Sequence, residues 1–78
     1  MTIEELVNAN KDMFSQSMCV IRCRHNKSKD MSSDEILNGC ILYYDKYSLM
    51  PNALRNLEVT SFKCTGYRSF CKLEIWVA

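Results

Sequence analysis

Glycine is scarce: the chain holds two in 78 residues, Gly39 and Gly66. A loop that cradles phosphate needs several closely spaced glycines so that backbone N–H groups can reach the ligand, and that class of nucleotide site is excluded. Histidine occurs once, at His25, so any Cys–His or Ser–His nucleophile would have to run through that position. No two carboxylates stand at a spacing that implies general acid–base work. Net charge is almost absent, +1 at neutral pH, and total charge therefore gives no argument for nucleic acid or an anionic membrane. Long apolar runs are missing too. The longest, such as Cys40-Ile41-Leu42-Tyr43-Tyr44, fall far below the ~20 residues that span a bilayer. The acidic start, Met1-Thr2-Ile3-Glu4-Glu5, has no signal-peptide core. These absences predict a soluble chain in the reducing cytoplasm, with no membrane partner, no cofactor and no enzymatic activity.

What is present suits a single globular domain over residues 1–78, with 47% hydrophobic and 24% charged residues. A chain this short buries only ~60% of its unfolded surface, so little stability is in reserve. Cysteine is plentiful by comparison: Cys19, Cys23, Cys40, Cys64 and Cys71. An odd count leaves one thiol unpaired in any disulfide scheme, and buried cysteine packs as a small apolar residue. Four of the five are expected inside. Cys64, near a turn, is the exception and the one expected to react.

The order of elements follows from periodicity. Thr2 and Glu5 form a capping box, and Ile3, Leu6, Val7, Met13 and Phe14 recur at helical spacing to about Ser15. From Ser17 to Arg24 the pattern alternates: Cys19, Ile21 and Cys23 point to the core, Met18, Val20, Arg22 and Arg24 outward. His25 to Ser32 reads as a loop. Ser33, with Asp34 and Glu35 behind it, starts a second helix, and Ile36, Leu37, Cys40, Tyr43, Tyr44 and Tyr47 continue an apolar face over 33–47. Gly39 costs ~1 kcal/mol in such a helix, and a strand from Cys40 to Asp45 is the alternative. Pro51 blocks continuation, with one further turn over Asn52 to Asn56. Leu57 to Lys63 and Phe70 to Val77 are strands flanking a Thr65-Gly66-Tyr67-Arg68 turn. In the first, Leu57, Val59 and Ser61 share one side and Glu58, Thr60 and Phe62 the other. The expected fold is α+β, a two-layer α-β-α-β-β domain with its helices on one face of a three-stranded antiparallel sheet and a C-terminal β-hairpin.

Three constellations invite a chemical reading. Cys19-x3-Cys23-x-His25 offers three soft ligands, but alternate strand residues stand about 6–7 Å apart. Ligands around one zinc at ~2.3 Å lie closer than that, so a zinc-stabilised module is a minor alternative. Arg22, Arg24, His25, Lys27 and Lys29 cluster without an acid before Asp30, which suits phosphates, an acidic protein surface or plain solubility. Tyr67 and Phe70 would join this patch if the hairpin tip lies near it. Finally, a sheet covered on one side would expose Met18, Val20, Phe62 and Trp76 on the other, and exposed aromatic patches mark partner sites. A homodimer is another way to cover that face.

The opening Met1-Thr2-Ile3-Glu4-Glu5-Leu6-Val7 is similar to the starts of many small phage and prophage proteins. The ends Leu57-Glu58-Val59-Thr60-Ser61-Phe62 and Leu73-Glu74-Ile75-Trp76-Val77-Ala78 resemble the same class. That resemblance implies a compact α/β unit of the kind that includes anti-CRISPR proteins. It would bind a host protein stoichiometrically and block its nucleic-acid site or its moving parts. No motif residue of that class maps onto a position here. The expectation is a non-enzymatic protein-binding module. Its anchors would be Phe62 and Trp76, with Tyr67 as a further contact, steered by Arg22, Arg24, Lys27 and Lys29, and direct nucleic-acid binding is the runner-up.

Overall fold

A computed structural model of the chain describes residues 1–24, 30–66, 68 and 70–78. Helix α1 spans Ile3–Ala9 and opens on the expected capping box. The Glu5 amide donates to Thr2 Oγ1 at 3.2 Å and the Thr2 amide to Glu5 Oε1 at 3.0 Å. Asn10, at φ −129° and ψ 44°, breaks the helix before a further turn, α2, over Lys11–Phe14. That break rotates the apolar stripe: Phe14 is buried, whereas Met13, expected beside it, is exposed.

The sheet corrects the expected architecture. It has four strands, β1 (Met18–Cys23), β2 (Cys40–Lys46), β3 (Val59–Gly66) and β4 (Cys71–Val77), in the order β2-β1-β4-β3. β1 pairs with β4 in parallel and with β2 antiparallel, so the sheet is mixed instead of antiparallel. The expected C-terminal hairpin is present as the antiparallel pair β3 and β4.

The fourth strand comes from the middle segment. Helix α3 covers only Ser33–Asn38, and β2 follows at once, so the helix expected over 33–47 gives way to its strand alternative. Gly39 makes the break, at φ 107°, where a Cβ would meet Arg24 Cγ at 3.2 Å. The Ile41 amide then donates to Glu35 Oε2 at 2.9 Å, tying the strand's start back to the helix. Ile41, Tyr43 and Tyr44 are residue types that favour a pleated surface. After β2, a 3₁₀ turn at Tyr47–Leu49 and helix α4 at Asn52–Arg55 lead into β3.

Register decides which side chains meet. Along β1 and β4, Cys19 lies opposite Leu73, Ile21 opposite Ile75 and Cys23 opposite Val77. Their common face packs against Ile3, Leu6, Val7, Phe14, Tyr47 and Met50. Cys19 and Cys23 are buried there as expected. Cys40 is half-buried on β2 opposite Cys23, not on a helix, and Cys71 sits at the core's margin. In β3 the pairing slips between Val59 and Ser61: Val59 faces Val77, but Ser61 faces Trp76. Such a slip moves every later side chain to the opposite face. Phe62 therefore lies opposite Ile75, on the core side, and not beside Trp76 as the simple alternation predicted. Among the described residues no helix is long and apolar enough to cross a membrane.

Candidate interaction surface

The outer face of the sheet is where the sequence placed a partner, and it is not bare. Arg22 points there from β1 and is 4% exposed. Its Nε donates to Glu74 Oε2 at 2.7 Å, its Nη2 to Asp34 Oδ2 at 2.8 Å and its Nη1 to the Gly39 carbonyl at 2.9 Å. Burial alone would lower the guanidinium's pKa. The hydrogen-bonded carboxylates of Asp34 and Glu74 outweigh it and raise the pKa further. In turn, Arg22 first and Asn38 second hold the Asp34 carboxyl below its usual range. Arg22 is thus a clamp between β1, β4 and α3, and cannot steer a partner.

Trp76 stands next to Arg22 in the β1–β4 register and is 9% exposed. Its Nε1 donates to the Asn38 carbonyl at 2.6 Å, and the Arg24 guanidinium lies 5.1 Å from the ring centre. The ring secures the end of α3 and is not an exposed anchor. Val20, also expected on open surface, is fully buried. Phe62 does remain half-exposed, but on the other face, edge-on to Phe14 with ring centroids 6.3 Å apart. Arg24 is exposed. Lys27, Lys29 and Tyr67 lie outside the described residues, as does His25 of the soft-ligand motif. Among the described residues no three Cys, His, Asp or Glu side chains come together as a metal site would require.

The helices therefore lie on both faces, which corrects the one-sided expectation: α3 covers the Arg22 and Trp76 end of the outer face. It does so by its polar side. Asp34 and Asn38, one turn apart, face the sheet. Ile36 and Leu37, the two large apolar residues of α3, consequently point away and are 70% and 79% exposed. Helical periodicity alone predicts both on the buried side. A signal of the true arrangement was available in Ser32-x-x-Glu35, a second capping box in which the Glu35 amide donates to Ser32 Oγ at 3.2 Å. It makes Ser32 the N-cap of a helix that begins at Ser33, and commits Glu35 to its first turn.

Among the described residues, the outer face beyond α3 carries charged and aromatic side chains around the buried Val20. Tyr44 and Lys46 from β2, Lys63 from β3 and Lys72 from β4 share it by register, and Lys72 Nζ lies 5.8 Å from the Tyr44 ring. Leu42 is exposed on β2, which is an edge strand. Comparison with protein-family models, curated proteins and solved structures gives no match for the chain.

Proposed function

We propose that the protein is a non-catalytic protein-binding module whose contact surface is the outward side of α3, continued by Leu42 and Tyr44 on β2. The observation that carries this reading is the inverted docking of α3. A helix that grips its own sheet through Asp34 and Asn38 while showing Ile36 and Leu37 to solvent forgoes the burial those side chains would supply. Fully burying an aliphatic side chain is worth about 1.5–3 kcal/mol. A partner that covers both recovers that contribution. In line with the resemblance of the chain's ends to phage and prophage proteins, the partner class is a nucleic-acid-processing defence protein of a host cell's cytoplasm. The mode is stoichiometric inhibition.

The test is a pull-down with the doubly substituted Ile36→Asp/Leu37→Asp chain beside the wild type. The variant should melt within a few degrees of wild type, because surface substitutions usually shift stability by about 0.5 kcal/mol or less. It should lose the captured partner. Retention of the same partner by a folded variant would sink the proposal. Trp76→Ala is unsuitable here, since Trp76 holds α3 in place.

A second reading is favoured by one observation, the placing of Lys72 Nζ 5.8 Å from the Tyr44 ring, with Lys46 and Lys63 on the same face of the sheet. Lysines beside an aromatic platform suit a single-stranded nucleic acid. Salt separates the two. Phosphate binding through three lysines weakens steeply with log salt concentration, whereas an apolar contact through Ile36 and Leu37 stays nearly flat.

A further inference from the structure

On the hairpin, Cys64 lies opposite Leu73 and Cys71 opposite Gly66, so the two cysteines are diagonal neighbours on one face of adjacent strands. Their sulfurs are 2.7 Å apart, already most of the way to the ~2.05 Å of a disulfide bond. Cys64 is exposed, while Cys71 leans against the core. The pair is remote from Ile36 and Leu37, because this is the face of the sheet opposite α3.

We propose that Cys64 and Cys71 form a redox-active dithiol that closes reversibly to an intramolecular cross-strand disulfide by exchange with a small-molecule disulfide of the glutathione type. The roles are asymmetric. Burial first, and the neighbouring Cys64 sulfur second, push the Cys71 thiol up to about 11, so Cys71 stays protonated at neutral pH and Cys64 is the thiol a reagent meets first. The Cys64 thiolate attacks one sulfur of oxidised glutathione; a Cys64–glutathione bond forms, the glutathione S–S bond breaks, and one glutathione leaves and takes up a proton. Cys71 then loses its proton and attacks the Cys64 sulfur, expelling the second glutathione, which is protonated in turn. The protein gives up two electrons and two protons, and one glutathione disulfide becomes two thiols. A bridge whose Cys64 end is exposed stays open to attack by a reducing thiol, which places it among the labile disulfides and not the permanent ones.

The experiment equilibrates the folded chain in a series of reduced and oxidised glutathione ratios, quenches with an alkylating agent and maps the cysteines by mass spectrometry. The expected product is a Cys64–Cys71 linkage appearing in one two-electron transition, with Cys19, Cys23 and Cys40 still alkylatable after unfolding. Its equilibrium constant should exceed that of the urea-unfolded chain by about tenfold or more, since the fold has already closed the loop. The Cys71→Ser chain should instead stop at glutathionylated Cys64. The exposed Cys64→Ser chain, which disturbs no buried contact, should form neither product at Cys71. Linkage to another cysteine, arrest of the wild type at the mixed disulfide, or equal constants in folded and unfolded chains would each overturn the proposal.

Discussion

On one side of the sheet, Ile21, Leu73 and Ile75 are packed with Ile3, Leu6 and Phe14 in a continuous apolar cluster. On the other, the Arg22 guanidinium joins Asp34 of α3 to Glu74 of β4 and to the Gly39 carbonyl, and Trp76 bonds the Asn38 carbonyl at the end of α3. The first contact is non-directional and scales with area removed from water. The second is directional, and each bond fixes an angle as well as a distance. Directional bonds can hold a helix by any side, including its polar one. That is how α3 comes to be anchored while its apolar residues stay outside. In a domain with so little core, the two kinds of contact divide the work: one makes the chain fold, the other decides what the folded chain displays.

The contrast can be broken most forcefully at Ile21, which is fully buried at the centre of the cluster. Ile21→Ala should cost about 2–5 kcal/mol by urea denaturation, a large share of what a domain of this size possesses, and unfolding should be global. Arg22→Ala comes next. Removing one member of a buried ion pair costs about 3 kcal/mol or more, and the lower end applies because Asp34 is about half-exposed. The pattern matters as much as the size. Hydrogen exchange should quicken at Ile36, Gly39 and Ile41 well before the amides of β1 and β4. Equal loss everywhere would mean that the two faces are not separable.

The gentlest perturbation is pH. Asp34 has its carboxyl pKa lowered by Arg22, so the folded state holds its charged form more tightly than the unfolded chain does. Its contribution is complete above the ordinary value of 3.8 and is lost as pH falls through the lower folded one. Glu5 and Glu35 are lowered in the same direction by the backbone amides they cap. Wild-type melting temperature should therefore decline below roughly pH 4.5. Asp34→Asn should melt lower than wild type at pH 7 and show a shallower decline in acid. An identical slope in both would place the acid sensitivity elsewhere.

How far the residues announced this design depends on distance along the chain. Thr2 with Glu5, and the alternation of Cys19, Ile21 and Cys23, are local patterns, and both appear in the structure as read. Gly39 was visible as a poor helix residue, yet only its left-handed φ turns the following residues into β2. The slip between Val59 and Ser61, which puts Phe62 on the core side, has no periodic signature. One extra residue erases the alternation that reveals a strand's faces. Thr60 Oγ1 donates to the Trp76 carbonyl at 3.0 Å beside that slip, a contact legible only once the strands are paired. Arg22 illustrates the limit best. Its partners Asp34 and Glu74 lie 12 and 52 positions away, so as a sequence it read as surface charge, and only the fold makes it a clamp.

Strand β4 lies between β1 and β3, although it follows both in the chain. Without it the sheet divides into the β1–β2 pair and an unpartnered β3. Long-range pairing of this kind is slow to form. A chain emerging from the ribosome must wait for Cys71–Val77 before Cys19, Ile21 and Cys23 have their parallel neighbour. Until then those thiols and their apolar surroundings are uncovered, and a chaperone or an oxidant meets a chain quite unlike the finished one.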